Sequence, residues 1–138
     1  KARAVADYCQ VIHSIDRASV VQKLASLEHT VDGFIEVNLT GDPGRGGVEP
    51  ENLGELVDTV LETPSIALKG LMAVAPQDQA PAEAFERVLS LQGAVTSRSP
   101  SSTDLSLGMT GDFEEAIHAG ATHLRIGSAI TGNRPPAP

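Results

Sequence analysis

Two short stretches near the C-terminal end carry the residue types best suited to chemistry. They read Gly108-Met109-Thr110-Gly111-Asp112 and Arg125-Ile126-Gly127-Ser128. Each joins glycine to a hydroxyl in a segment whose backbone N–H groups can converge on one point. A helix predicted to start after the first stretch adds unsatisfied donors and a partial positive charge, which favour an anion. Arg125, within the second stretch, supplies a fixed cation. The chemistry this combination suits is phosphate binding. The alternative is structural: loop glycines that join elements, with Asp112 supplying its own negative charge to the same helix start.

The elements that must position these residues follow from periodicity. Leu105 and Leu107 alternate with small or polar residues from Asp104 to Gly108, the pattern of a short strand. Phe113, Ala116, Ile117 and Ala119 recur at helical spacing, and Gly120 is suited to close that helix. A second strand is expected over Leu124–Ile126, running into Gly127. Parallel strands joined by a helix bring their C-terminal ends together, so both turns should lie on one side of the sheet.

Upstream, Lys1–Tyr8, with Ala2, Val5 and Ala6 at helical spacing, reads as a helix without a cap, as though the chain enters in mid-structure. Val11–Ile15 reads as a strand ending at Asp16, and Arg17–Leu27 as an amphipathic helix. Phe34–Leu39 follows as an apolar strand interrupted by Glu36 and Asn38, which share a face. In an open sheet that face meets solvent; in a barrel it is the interior or the ligand side, and Asn38, near the strand's C-terminal end, becomes a candidate ligand contact. Local hydrogen bonds in a barrel interior would explain it as well. Residues 40–50 form a Gly/Pro-rich loop without the Gly-Lys-[Ser/Thr] of a P-loop, which reads as a mobile surface loop. Leu53–Leu61 is a helix stopped by Thr63-Pro64, Ile66–Ala75 a buried strand, and Ala82–Val95 a helix.

Composition narrows the function. A formal net charge of −8 and 3% aromatic residues exclude a nucleic-acid surface built on a basic stripe with stacking rings. Cys9 is the only cysteine, which leaves no intrachain disulfide and suggests a reducing, cytoplasmic setting. No apolar run approaches the roughly 20 residues of a membrane span, and no signal-peptide layout is visible. His13, His29, His118 and His123 show no metal-ligand spacing.

Ser106-Leu107-Gly108-Met109-Thr110-x-Asp112, then Arg125-Ile126-Gly127-Ser128-Ala129-Ile130-x-Gly132, resembles the signature of the pyridoxal phosphate homeostasis (YggS/PROSC-type) proteins. His13-Ser14-Ile15-Asp16 and Gly70-Leu71-Met72 match further motifs of that family, and Arg45-Gly46-Gly47 stands where it has Lys-x-Gly. Thr110 replaces a serine and keeps the hydroxyl; Thr131 replaces an aromatic ring. The resemblance implies pyridoxal 5'-phosphate as cofactor, its phosphate at Met109, Thr110, Gly127 and Ser128. It further implies Arg125 beside the pyridine nitrogen and Met72 against the ring, although a methionine there is also ordinary core filler.

Five strands alternating with helices require a parallel α/β sheet, which doubly wound and barrel folds satisfy alike. The resemblance implies a (β/α)8 barrel of the alanine racemase N-terminal type, with strands four to eight present in residues 1–132 and a disordered tail at 133–138. Five strands cannot close such a barrel, so open sheet edges would invite self-association. The Schiff-base lysine of the family has no counterpart here, since Lys1, Lys23 and Lys69 lie in unrelated contexts. The function implied is non-catalytic cofactor binding in pyridoxal phosphate homeostasis by an N-terminally truncated chain. The alternatives are an alanine-racemase-like enzyme, another phosphate-ligand barrel enzyme, or an inactive fragment.

Overall fold

The computed structural model describes residues 2–42 and 44–132; Lys1 and the tail expected to be disordered at 133–138 lie outside them. Its framework is α1 (Ala2–Ala6), β1 (Val11–Ile15), α2 (Ala18–Leu24), β2 (Val31–Val37), α3 (Leu53–Leu61), β3 (Ile66–Ala73), α4 (Pro81–Thr96), β4 (Asp104–Ser106), α5 (Phe113–His118) and α6 (Ser128–Thr131). The strands form one parallel sheet in the order β1-β2-β3-β4. Neighbours in sequence are neighbours in space, with no reversal of order. A doubly wound sheet reverses at its switch point, whereas barrel strands follow one another, so this order is that of a barrel wall.

Helix periodicity explains why one face of the sheet is thickly covered. Leu53, Leu56, Val57 and Val60 bury one stripe of α3, and Ala84, Phe85, Val88 and Val95 one stripe of α4. They pack with Val31, Ile35 and Val37 of β2, Leu68, Leu71 and Ala73 of β3, and Leu105 of β4 in one core cluster. Alternate residues point the other way. Phe34 and Met72 are buried there, apart from that cluster. Pro81 starts α4 where its missing N–H costs nothing, and Gly120, at φ +89°, ends α5 as its position predicts.

Two expectations are corrected. β2 begins at Val31, three residues before the expected start, because Val31 pairs with Ile66 and Gly33 with Leu68. The fifth strand, expected over Leu124–Ile126, does not form. The segment instead makes one parallel bridge, Ser106 to His123. The Thr122 and His123 N–H groups donate to the Leu105 carbonyl, Leu107 N–H to that of His123, and Arg125 N–H to that of Gly108. No described strand lies beyond this edge to extend the ladder. The chain then turns into α6, a four-residue helix that periodicity does not predict.

Candidate functional site

Register assembles the site. Glu36 pairs with Met72, Met72 with Ser106, and Ser106 bridges to His123, so these four residues form one row across the uncovered face. The row nearer the strands' N-terminal ends is Phe34, Gly70 and Asp104. Arg125, two residues past His123, returns to the same face. Its Nη1 donates to the carbonyl and Oγ of Ser106, both at 2.8 Å, and its Nη2 to the Ala73 carbonyl at 3.0 Å. The guanidinium is thereby fixed across the C-terminal ends of β3 and β4. Three of its five N–H bonds are used, which leaves the Nε hydrogen and one on Nη2.

Ser106 links this arginine to His13. Its Oγ lies 2.8 Å from His13 Nδ1 while accepting from Arg125. The hydroxyl then has its one proton to give to Nδ1, the arrangement a neutral imidazole accepts. Burial, then the nearby His123 and Arg125, push His13 below its ordinary value and favour that neutral form. The His13 ring stacks on Phe34 at a centroid distance of 4.7 Å and an interplanar angle of 5°, and His123 meets Phe34 edge-on at 4.9 Å. Burial and the proximity of Asp16 push the Glu36 carboxyl up, against the opposing field of Arg125. Burial lowers Arg125, which Glu36 and Asp112 partly offset.

The two turns named from sequence do meet. The Ala129 N–H donates to Thr110 Oγ1 at 3.3 Å, tying the start of α6 to the turn before α5. The N–H groups of Thr110, Gly111, Gly127 and Ser128 have no acceptor among the described residues. Met109 differs: its N–H donates to Asp112 Oδ1 at 2.6 Å, so the acid does compete for one of the donors. Met109 presents its side chain at the exposed rim instead. Both turns are open to solvent, and the arrangement can seat a small anion from above.

Asn38 is placed beside this site with its amide committed. Its Nδ2 donates to the Asp42 carbonyl at 2.9 Å and to Glu49 Oε1 at 2.8 Å, while its Oδ1 accepts from the N–H and hydroxyl of Thr40. The loop expected to be mobile is thus an arch tied to β2. Its return leg pairs Val48 with Val37 in parallel fashion. Met72, 5% exposed, lies between Glu36 and Ser106 in the row of site residues.

Sequence reasoning did not bring His13, Phe34, Ser106 and His123 together as a group. The signal available was period-two spacing: Phe34 with Glu36 and Asn38, Asp104 with Ser106, His123 with Arg125. That spacing shows which residues share a face of one strand but not which strands adjoin. Among the described residues there is no cluster of three or more metal-binding side chains.

The alanine racemase N-terminal domain family matches residues 1–135. A pyridoxal phosphate homeostasis protein of Vibrio cholerae is 34% identical over 141 residues, covering 97% of this chain and 60% of that protein. One of Aquifex aeolicus is 40% identical over 132 residues, covering 90% and 58%. The solved structure of PipY of Synechococcus elongatus with pyridoxal phosphate bound superposes with a TM-score of 0.82 at 26% identity, covering 96% of this chain and 65% of that one. The chain thus spans about 60% of the length of the curated relatives it matches.

Proposed function

The chain belongs to the alanine racemase N-terminal domain family and, within it, to the pyridoxal phosphate homeostasis proteins, and from that premise we propose that it supplies the phosphate and ring side of a pyridoxal 5'-phosphate site that holds the cofactor without catalysis. The observation that carries this reading is the pair of turns joined through Thr110 and Ala129, with four unspent N–H groups beside a fixed guanidinium. Thr110, Gly111, Gly127 and Ser128 would hold the phosphate, with the Ser128 hydroxyl as a further donor. Met109 closes the rim, Met72 lies under the ring, and Asn38 contributes by holding the arch at the mouth.

Arg125 has two N–H bonds left for the pyridine nitrogen and cannot give up a proton to it. Bound pyridoxal phosphate supplies an aldehyde and an electron-accepting ring, and an unprotonated ring nitrogen weakens the second of these. Ser106 holds the guanidinium and is itself held by His13; Phe34 and the His13 ring, stacked together, would exclude water from that side. These residues serve retention of a cofactor better than turnover. Tyr8, the chain's one tyrosine, is exposed ahead of β1, at the opposite end of the sheet from the mouth, where a second base of a racemase would be of no use.

The reading places the covalent lysine of the site in the part of the relatives that this chain does not match. Lys23 lies in the last turn of α2, and Lys69 pairs with Asp32 at 3.7 Å in the N-terminal half of β3. The reading also sets the protein in a reducing cytoplasm, which suits the free thiol of Cys9. Self-association through the outer edge of β1 is what an unpaired strand edge would invite, and sedimentation velocity tests it.

The test is a titration with 4-deoxypyridoxine 5'-phosphate, which keeps the ring and phosphate and lacks the aldehyde. Saturable binding that competes with inorganic phosphate and weakens about tenfold or more in Arg125→Ala is expected. Borohydride treatment with pyridoxal phosphate should trap no stoichiometric lysine adduct. Absence of saturable binding, or binding indifferent to phosphate, refutes the cradle; a single trapped lysine refutes the placement of the covalent group elsewhere.

A further inference from the structure

A cavity of about 170 Å³ lies under the arch that follows β2, next to the row of site residues but separate from the turns that seat the phosphate. Glu36, the end of β2 and Val74 line one side; Arg45 and Gly46 line the other. The arch is built to hold this shape. Asn38 ties both of its legs through Asp42 and Glu49, and Val48 closes it by donating to the Glu36 carbonyl at 2.7 Å and accepting from Asn38 N–H at 2.9 Å. The Asp42 carboxylate accepts from Gly44 N–H and its carbonyl from Arg45 N–H, which turns the chain so that Arg45 reaches the cavity.

Two residues of opposite charge, Glu36 and Arg45, line this small polar space. A Cβ placed on Gly46 would stand 3.4 Å from Glu36 Oε1, so the carboxylate lies directly beneath the arch backbone. Among the described residues, neither the Glu36 carboxylate nor the Arg45 guanidinium has a hydrogen-bond or ion-pair partner. A simple anion would satisfy Arg45 and be repelled by Glu36; a simple cation would do the reverse. A molecule that carries both charges on adjacent atoms satisfies the two together.

We propose that this cavity binds the zwitterionic head of a small α-amino acid, its carboxylate on Arg45 and its ammonium on Glu36. An incoming ammonium offsets the cost that burial imposes on the Glu36 charge. The volume admits a short side chain. Because Glu36 stands in the same row as Met72 and Ser106, the amino acid would sit beside the ring position, yet its binding requires no cofactor.

The experiment titrates the ¹⁵N-labelled chain with L-alanine in the absence of pyridoxal phosphate, and separately with propionate and ethylamine, which keep one charge each. L-Alanine should shift the amides of Gly46, Gly47 and Val48 saturably, and each half-ligand should bind about tenfold more weakly or worse. Arg45→Ala and Glu36→Gln should each weaken L-alanine about tenfold. Arg45 is exposed, so its variant should keep the remaining amide spectrum, which verifies the fold. No saturable shift at these amides, propionate binding as tightly as L-alanine, or affinity unchanged in both variants overturns the proposal. The cofactor-free format keeps this outcome distinct from that of the pyridoxal phosphate reading, which the deoxypyridoxine titration decides.

Discussion

Arg125 is useful only because backbone carbonyls and one hydroxyl fix it, and Ser106 supplies two of those three acceptors. Through the same hydroxyl the site acquires a dependence on His13. In the unfolded chain His13 titrates at its ordinary 6.5, whereas the fold holds it lower. Between those values the unfolded chain binds more protons. The stability that goes with a neutral His13 is therefore fully present above 6.5 and is lost as pH falls through 6.5 toward the folded value. Glu36 acts in the opposite sense in a more acidic window. Its folded value lies above the ordinary 4.5, so protonation favours the fold as pH drops from that raised value through 4.5. Urea midpoints taken from about pH 8 to about pH 5 should fall on acidification, and His13→Gln should flatten the part of the curve just below 6.5. An unchanged slope in the variant would show that His13 is equally protonated in both states.

At the scale of elements, the approach of β3 to β4 decides whether the row of site residues exists. Gly70 sits in that approach at φ +155°, and a Cβ on it would collide with the Asp104 carbonyl oxygen. A side chain there has to push the two backbones apart. Gly70→Ala should cost roughly 2–4 kcal/mol of stability, read as a lower urea midpoint with little change in slope. It should also loosen Arg125, since Ala73 and Ser106 lie on the two strands being separated. A midpoint within error of the parent would mean that the strands slide without loss. The arch is a second such element: the buried Asn38 side chain ties its legs, and Gly47, at φ +112°, stands where any Cβ would collide with the backbone of Val37 and Asn38.

For the molecule as a whole, the relevant quantity is the difference between its charge and that of its site. The chain carries a formal −8, while the proposed ligand is a phosphate ester that is also negative. Long-range repulsion should slow encounter, and local donors should act only at contact. Salt screens the first more than the second because the Debye length falls from about 30 Å at 0.01 M to about 8 Å at 0.15 M. The association rate of 4-deoxypyridoxine 5'-phosphate, followed by stopped flow, should therefore rise as ionic strength increases across that range. A rate that falls instead would show that the field at the mouth is positive despite the net charge. At the same scale the sheet stays open: four strands in barrel order, with helices over one face, form a wall rather than a closed barrel.

Much of this was legible in the chain before folding was considered, for reasons that are local. Period-3.6 stripes set α3 and α4, alternation set β4, and Gly120 marked the end of α5, because each depends on neighbours a few residues away. The two Gly-hydroxyl turns and Arg125 were legible for the same reason, and their motifs carried the family. What the sequence could not settle was which strands adjoin and in what register. Leu124–Ile126 has a strand's composition, but a strand requires a ladder, and only His123 finds one step of it. Likewise His13 and Ser106, 93 residues apart, meet only when β1 and β4 are laid on one curved sheet. Local periodicity determined the elements and the turn chemistry. Tertiary structure alone decided the site, because hydrogen-bond register between distant strands fixes which side chains share a row.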